Sequence, residues 1–172
     1  MNDPVEILSQ VRQKESLIVN PRKRNGIILI KGYHAEFAGP GSVIGGEFDT
    51  EVIRVLAVGN LSLLQPQSRE EKIKAYLIRR QWILLTKQIA DNPTPQQRAQ
   101  IILNQFENWF DAAIASQVCD EAFSLLVGVL SCYEFRLHNN FAESFVTRGL
   151  SPLPVCVLDK EQLTQNDRLC PS

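Results

Sequence analysis

Chemically versatile side chains are scarce in this chain. Its 172 residues include two histidines, four cysteines and one methionine. Cys119, Cys132, Cys156 and Cys170 form no Cys-x-x-Cys pair, so no recognisable zinc or thiol-redox spacing is present. His34 and His138 are the only imidazoles, and neither stands in a nucleophile and base pattern; Cys132 and His138 are six residues apart on one predicted helix and point in different directions. The reading is therefore of a non-enzyme with no catalytic residues, no metal and no cofactor. The start, MNDPVEILSQ, has no basic segment followed by an apolar one, and no apolar run is long enough to cross a bilayer. A cytoplasmic protein with no membrane partner is expected, with Cys119 and Cys132 as buried thiols.

An excess of charge of either sign is also missing. The formal net charge is -1 and charged residues make up 22%, which excludes the general attraction for phosphate that a strongly basic protein has. The distribution is uneven, however. Between Arg69 and Arg98 there are seven basic and three acidic residues, and from residue 116 onward four basic and seven acidic. Any nucleic-acid role would rest on a local patch.

The glycine-rich stretch Gly39-Pro40-Gly41-Ser42-Val43-Ile44-Gly45-Gly46 lacks what a phosphate loop needs. No Lys-Ser/Thr follows it, Glu47 stands at its end, and Ile44 occupies the place of the sixth-position glycine of a dinucleotide fingerprint. It reads as structural turns.

Helix-start signals are plentiful. Ser68-Arg69-Glu70-Glu71, Thr94-Pro95-Gln96-Gln97 and Ser131-Cys132-Tyr133-Glu134 each resemble a capping box and lead into apolar-periodic runs. They predict helices over 68–91, 95–115 and 131–148, with another over 116–128. Asp3-Pro4 starts a short N-terminal helix. The β-branched run Gly26 to Tyr33 predicts a buried strand; Val52 to Val58 fits a strand too, but the Asp49-Thr50 start and the stop at Gln65-Pro66 favour a helix over Val52 to Leu64, interrupted at Gly59.

These elements give a mainly α fold: a helical bundle over 67–149, preceded by a small segment 1–66 with one or two β-strands and followed by an extension 150–172. Trp82, Trp109, Phe106, Phe110, Phe123, Phe135 and Phe141 are expected to supply most of the core, and the 26–33 strand to supply dimer contacts.

The most suggestive local pattern runs from Asp120 to Leu137. A short helix, Gly128 at a turn, apolar Val129 and a capped second helix together resemble a helix-turn-helix pair, with small Ser124 where the helices would cross. On the second helix, Ser131, Tyr133, Arg136, Asn139 and Asn140 are the candidate nucleic-acid-binding residues, because Arg and Asn read guanine and adenine edges. Glu134 and Glu143 on the same helix oppose phosphate, and a bent helical pair within an ordinary core has the same sequence needs. Arg79 and Arg80, with Lys72, Lys74 and Lys87, are candidate phosphate contacts, or else a solvated face or a surface for an acidic partner. Two function classes follow: a DNA-binding transcription regulator acting as a homodimer or other homo-oligomer, and a helical adaptor or assembly factor that binds a partner protein and no nucleic acid.

Overall fold

The computed structural model describes residues 3–129, and they correct the mainly α expectation. Two three-stranded antiparallel sheets and five α-helices are present among them. The chain begins with α1 (Pro4–Arg12), followed by β1 (Ser16–Val19), β2 (Asn25–Lys31), β3 (His34–Ala38) and β4 (Val43–Gly45). A single 3-10 turn (Gly46–Asp49) leads to β5 (Arg54–Gly59) and β6 (Leu63–Leu64). Then come α2 (Arg69–Ala90), α3 (Pro95–Phe110), α4 (Ala112–Ala115) and α5 (Asp120–Val127).

The sheets have strand orders β4-β1-β6 and β3-β2-β5. Strand β2 shows why the 26–33 run is apolar without alternation: both its faces are covered. Ile27 and Leu29 join Leu17, Val19, Ile44 and Val55 in a core between the sheets, closed at one end by Ile7 and Val11 of α1. Ile28 and Ile30 point the opposite way, toward Phe37, Phe106, Phe110 and Phe123 in a second core shared with the helices. Since adjacent strand residues face opposite sides, a doubly covered strand must be apolar throughout. Both edges of β2 are taken as well, by β3 and β5, so the strand offers nothing to a second copy.

The 52–64 segment is extended where a helix was expected. Leu56 of β5 pairs with Ile28 and Val58 with Gly26, and tertiary pairing of this β-branched run overrides the helix-like boundaries at either end. Asp49, read as a helix cap, instead ends the 3-10 turn and accepts the Gly45 amide through Oδ2 at 2.8 Å.

Two glycines of the 39–46 stretch are dictated by close approach. Gly45 has φ +80°, and a Cβ there would stand 1.8 Å from the Glu15 carbonyl oxygen. At Gly39 a Cβ would overlap the Trp82 ring, which lies directly on the backbone. The stretch also contains β4, so turn and strand alternate within eight residues.

The helical expectations hold more closely. Asp3 accepts from the Val5 amide at the start of α1. Ser68 Oγ accepts from the Glu71 amide at 3.1 Å, while the Glu71 carboxylate accepts from Gln67, one residue before the cap. Thr94 makes no side-chain cap, and Pro95 at the first position starts α3. That helix stops at Phe110 rather than near Ala115, because Asp111 takes φ +85° and its carboxylate caps α4 through the Ile114 amide.

Helix α2 packs on β3 of one sheet and β4 of the other. Its Trp82 and Ile89 join the helical core, and Ala75 meets Ile18 and Val43 on the outer face of the first sheet. It thereby bridges the two sheets.

Candidate functional site

The first half of the helix-turn-helix pattern is present in the described residues. Helix α5 ends at Gly128, which takes the left-handed conformation (φ 64°, ψ 39°), and its amide donates to the Ser124 carbonyl. Val129 follows and is buried, its own amide also bonded to Ser124 O at 2.9 Å. This is a helix end that only glycine adopts at little cost, with an apolar residue plugging the corner behind it. Ser124 is buried too, and its hydroxyl donates to the Asp120 carbonyl one turn earlier, which leaves no unsatisfied donor on the packed face. Ala122, Phe123, Leu126 and Val127 anchor α5 in the helical core. Glu121 meets Arg54 of β5 at 2.7 Å. Arg98 reaches the end of α2, where its Nη1 donates to the Ala90 carbonyl and lies beside the Gly128 turn.

Ser131, Tyr133, Arg136, Asn139 and Asn140 lie outside the described residues, as do Phe135, Phe141 and His138. The two arginines of α2 part company. Arg80 is exposed, whereas Arg79 is 7% exposed and turned inward. Arg79 is not available to a phosphate, because its guanidinium is engaged by the protein itself.

Those partners form a cluster of four charges drawn from β2, β3, the 3-10 turn and α2, which the β4 backbone joins through one carbonyl. Arg79 Nη2 meets Glu36 Oε2 of β3 at 2.5 Å and Asp49 Oδ1 at 3.2 Å, and Nη1 donates to the Val43 carbonyl of β4 at 3.1 Å. Lys31, the last residue of β2, lies 3.0 Å from both Glu36 Oε1 and Asp49 Oδ1 and donates to the Phe48 carbonyl. Each cation touches both carboxylates, so the cluster is internally neutral. Such an arrangement has no charge left over for a ligand. It fixes the height and rotation of α2 against the sheets, because the planar fork of Arg79 reaches three backbone segments in one geometry.

Burial acts to raise the Glu36 carboxyl, but the Arg79 charge and hydrogen bond, then those of Lys31, outweigh it and hold the group below the usual carboxylate range. The native state therefore binds fewer protons than the unfolded chain between the two values. The stabilising contribution is complete above the unfolded glutamate value of about 4.3 and is lost as pH falls through the lower native one. In urea titrations, the stability gap between wild type and Glu36→Gln is expected to be largest near pH 7 and to close below about pH 4.3. A gap independent of pH would contradict this assignment.

Sequence reasoning placed none of Lys31, Glu36 and Asp49 in a site. One signal was available: Lys31 is a lone charge closing an otherwise apolar strand, and such a residue needs a buried counter-charge. Among the described residues, no group of three or more His, Cys, Asp or Glu is arranged to hold a metal ion, and no helix is long and apolar enough to cross a membrane. The chain matches no protein-family model, no curated protein and no solved structure.

Proposed function

We propose that the protein is a non-enzymatic DNA-binding regulator whose recognition residues are Ser131, Tyr133, Arg136, Asn139 and Asn140. The observation that carries this reading is the Gly128 turn: left-handed glycine closing α5, followed at once by buried Val129 and the Ser131 capping sequence. A helix-turn-helix uses its first helix as a rigid support and presents the N-terminal residues of the second to base edges. Helix α5 has the anchoring that support demands, with Ala122, Phe123, Leu126 and Val127 held in the core. Ser131 follows two residues after the plug, so a second helix capped there starts immediately beyond the corner. Arg79 plays no part in DNA contact, and Arg80 is not assigned one, since it shares its face with Ile73, Leu77 and Leu84. One short helix reads few base pairs, and such regulators act in pairs on two half-sites.

Binding of the full chain to duplex DNA, followed by fluorescence anisotropy, is expected to weaken steeply with added salt. Arg136→Ala should cost about 1–3 kcal/mol of binding free energy if its guanidinium pairs with a guanine edge. Absence of retention on heparin at low salt, with Arg136→Ala indistinguishable from wild type, would reject the reading in favour of the protein-binding adaptor.

A further inference from the structure

The described surface of α2 carries a second pattern that neither the fold nor the DNA reading uses. Residues 70, 73, 77, 80, 84 and 87 recur at alternating spacings of three and four, the a and d positions of a heptad, and here they are Glu70, Ile73, Leu77, Arg80, Leu84 and Lys87. All six are exposed. Ile73 is 50% accessible, Leu77 56% and Leu84 47%. The opposite side of the helix, with Ala75, Arg79, Thr86 and Ile89, is the one buried on the sheets. Glu70, Arg80 and Lys87 form no ion pair with any described residue. Three large apolar side chains left exposed in one periodic row, on a helix already anchored along its other side, mark an association surface.

We infer that this row is the seam of a homodimer in which the α2 helices of two copies pack antiparallel. The charges choose both the occupant and the direction. In an antiparallel pair each a residue faces a d residue of the other copy, so Glu70 meets Lys87, Ile73 meets Leu84, and Leu77 meets the aliphatic stem of Arg80. The two-fold axis repeats every one of these contacts. Two Ile73–Leu84 layers and two Leu77–Arg80 layers thus lie between opposite-charge pairs at both ends. In a parallel pair each residue would face its own copy. Glu70 would then meet Glu70, Arg80 would meet Arg80 and Lys87 would meet Lys87, three like-charge layers in a seam about 26 Å long at 1.5 Å per residue. Ile83, at 37% accessible on the flank of the row, faces the other copy's Tyr76 in the antiparallel arrangement and extends the apolar contact. The seam rests on the two-copy part of the regulator reading, and its test is run without DNA so that failure of one leaves the other separately decided.

Sedimentation of the full chain is expected to show a reversible dimer. Leu77→Glu should yield a monomer with an unchanged far-UV spectrum, because the replaced side chain is solvent-exposed. Glu70→Lys alone and Lys87→Glu alone should each weaken the dimer about tenfold, since two symmetry-related attractions become repulsions. The double charge exchange Glu70→Lys/Lys87→Glu should restore wild-type affinity, which only the antiparallel seam permits. A wild-type chain that stays monomeric at its highest soluble concentration would overturn the proposal. So would a dimer indifferent to Leu77→Glu, or single exchanges that the double exchange fails to rescue.

Discussion

Arg79→Ala is expected to remove about 3–5 kcal/mol of unfolding free energy, a large share of the stability of a domain this size. The loss comes chiefly from what is left behind. Glu36 and Asp49 would keep two negative charges in the interior with Lys31 as the one Lys or Arg close to them among the described residues, and the Val43 carbonyl would lose its guanidinium donor. Asp49 is only 2% exposed, so water cannot take the place of the missing fork. Arg79→Lys should recover part of the stability, since one ammonium replaces the charge but cannot reach Glu36, Asp49 and Val43 together. Arg80→Ala, one residue away and exposed, should stay within about 0.5 kcal/mol of wild type. Urea titrations of the three variants at neutral pH would decide the matter, and equal effects at positions 79 and 80 would refute the inward placement of Arg79.

A comparable loss is expected for Phe37→Ala, about 3–5 kcal/mol. Phe37 is fully buried and touches four rings: Trp82 edge-on with centroids 5.3 Å apart, Phe106 at 4.9 Å, Trp109 stacked at 6.1 Å and Phe110 edge-on at 5.6 Å. Its removal opens a cavity where β3, α2 and α3 meet, and neighbours in a sheet cannot collapse into it without disturbing the pairing of Phe37 with Ile28. Trp109→Ala, at one of the aromatics expected from sequence to supply the core, should cost less than Phe37→Ala, because Trp109 is only partly buried at the margin of the same cluster. Thermal unfolding of both variants orders them, and the reverse order would contradict the central position of Phe37.

The role of Phe37 was not legible in advance, and the reason is instructive. His34–Ala38 is a five-residue strand in which Phe37 is the single large apolar side chain, too short a stretch for alternation to show. The same brevity hid β1, β4 and β6, which span four, three and two residues. Strands of this length are specified by their partners, whereas helices such as α2 and α3 carry their evidence within themselves, in a Ser68 cap, a Pro95 start and a repeating apolar face. A bias toward helix followed, and it extended to 52–64, where boundary residues suited to a helix surround a run whose β-branched side chains pair with β2.

The candidate site divides along the same line. Gly128 and Val129 were readable because a helix stop and a corner plug are local demands on two adjacent residues. The cluster of Lys31, Glu36, Asp49 and Arg79 joins positions up to 48 residues apart, as the numbering from 31 to 79 shows, and no local rule links them. Arg79 in particular read as one of several basic residues of a solvated or phosphate-facing helix, and only the sheets beneath it converted that cation into an internal tie.

Local chemistry alone settled where α1, α2 and α3 begin and where α2 and α5 end, that the 26–33 run is a strand, and that the 39–46 glycines mark tight backbone geometry. Those features depend on dihedral preferences and hydrogen bonds between near neighbours, which the order of residues states directly. Tertiary structure decided the rest: the second sheet, the extended path of 54–59, the central place of Phe37 and the inward turn of Arg79. Each of these depends on contacts between segments distant in the chain, whose free energy exists only after the sheets and α2 have come together.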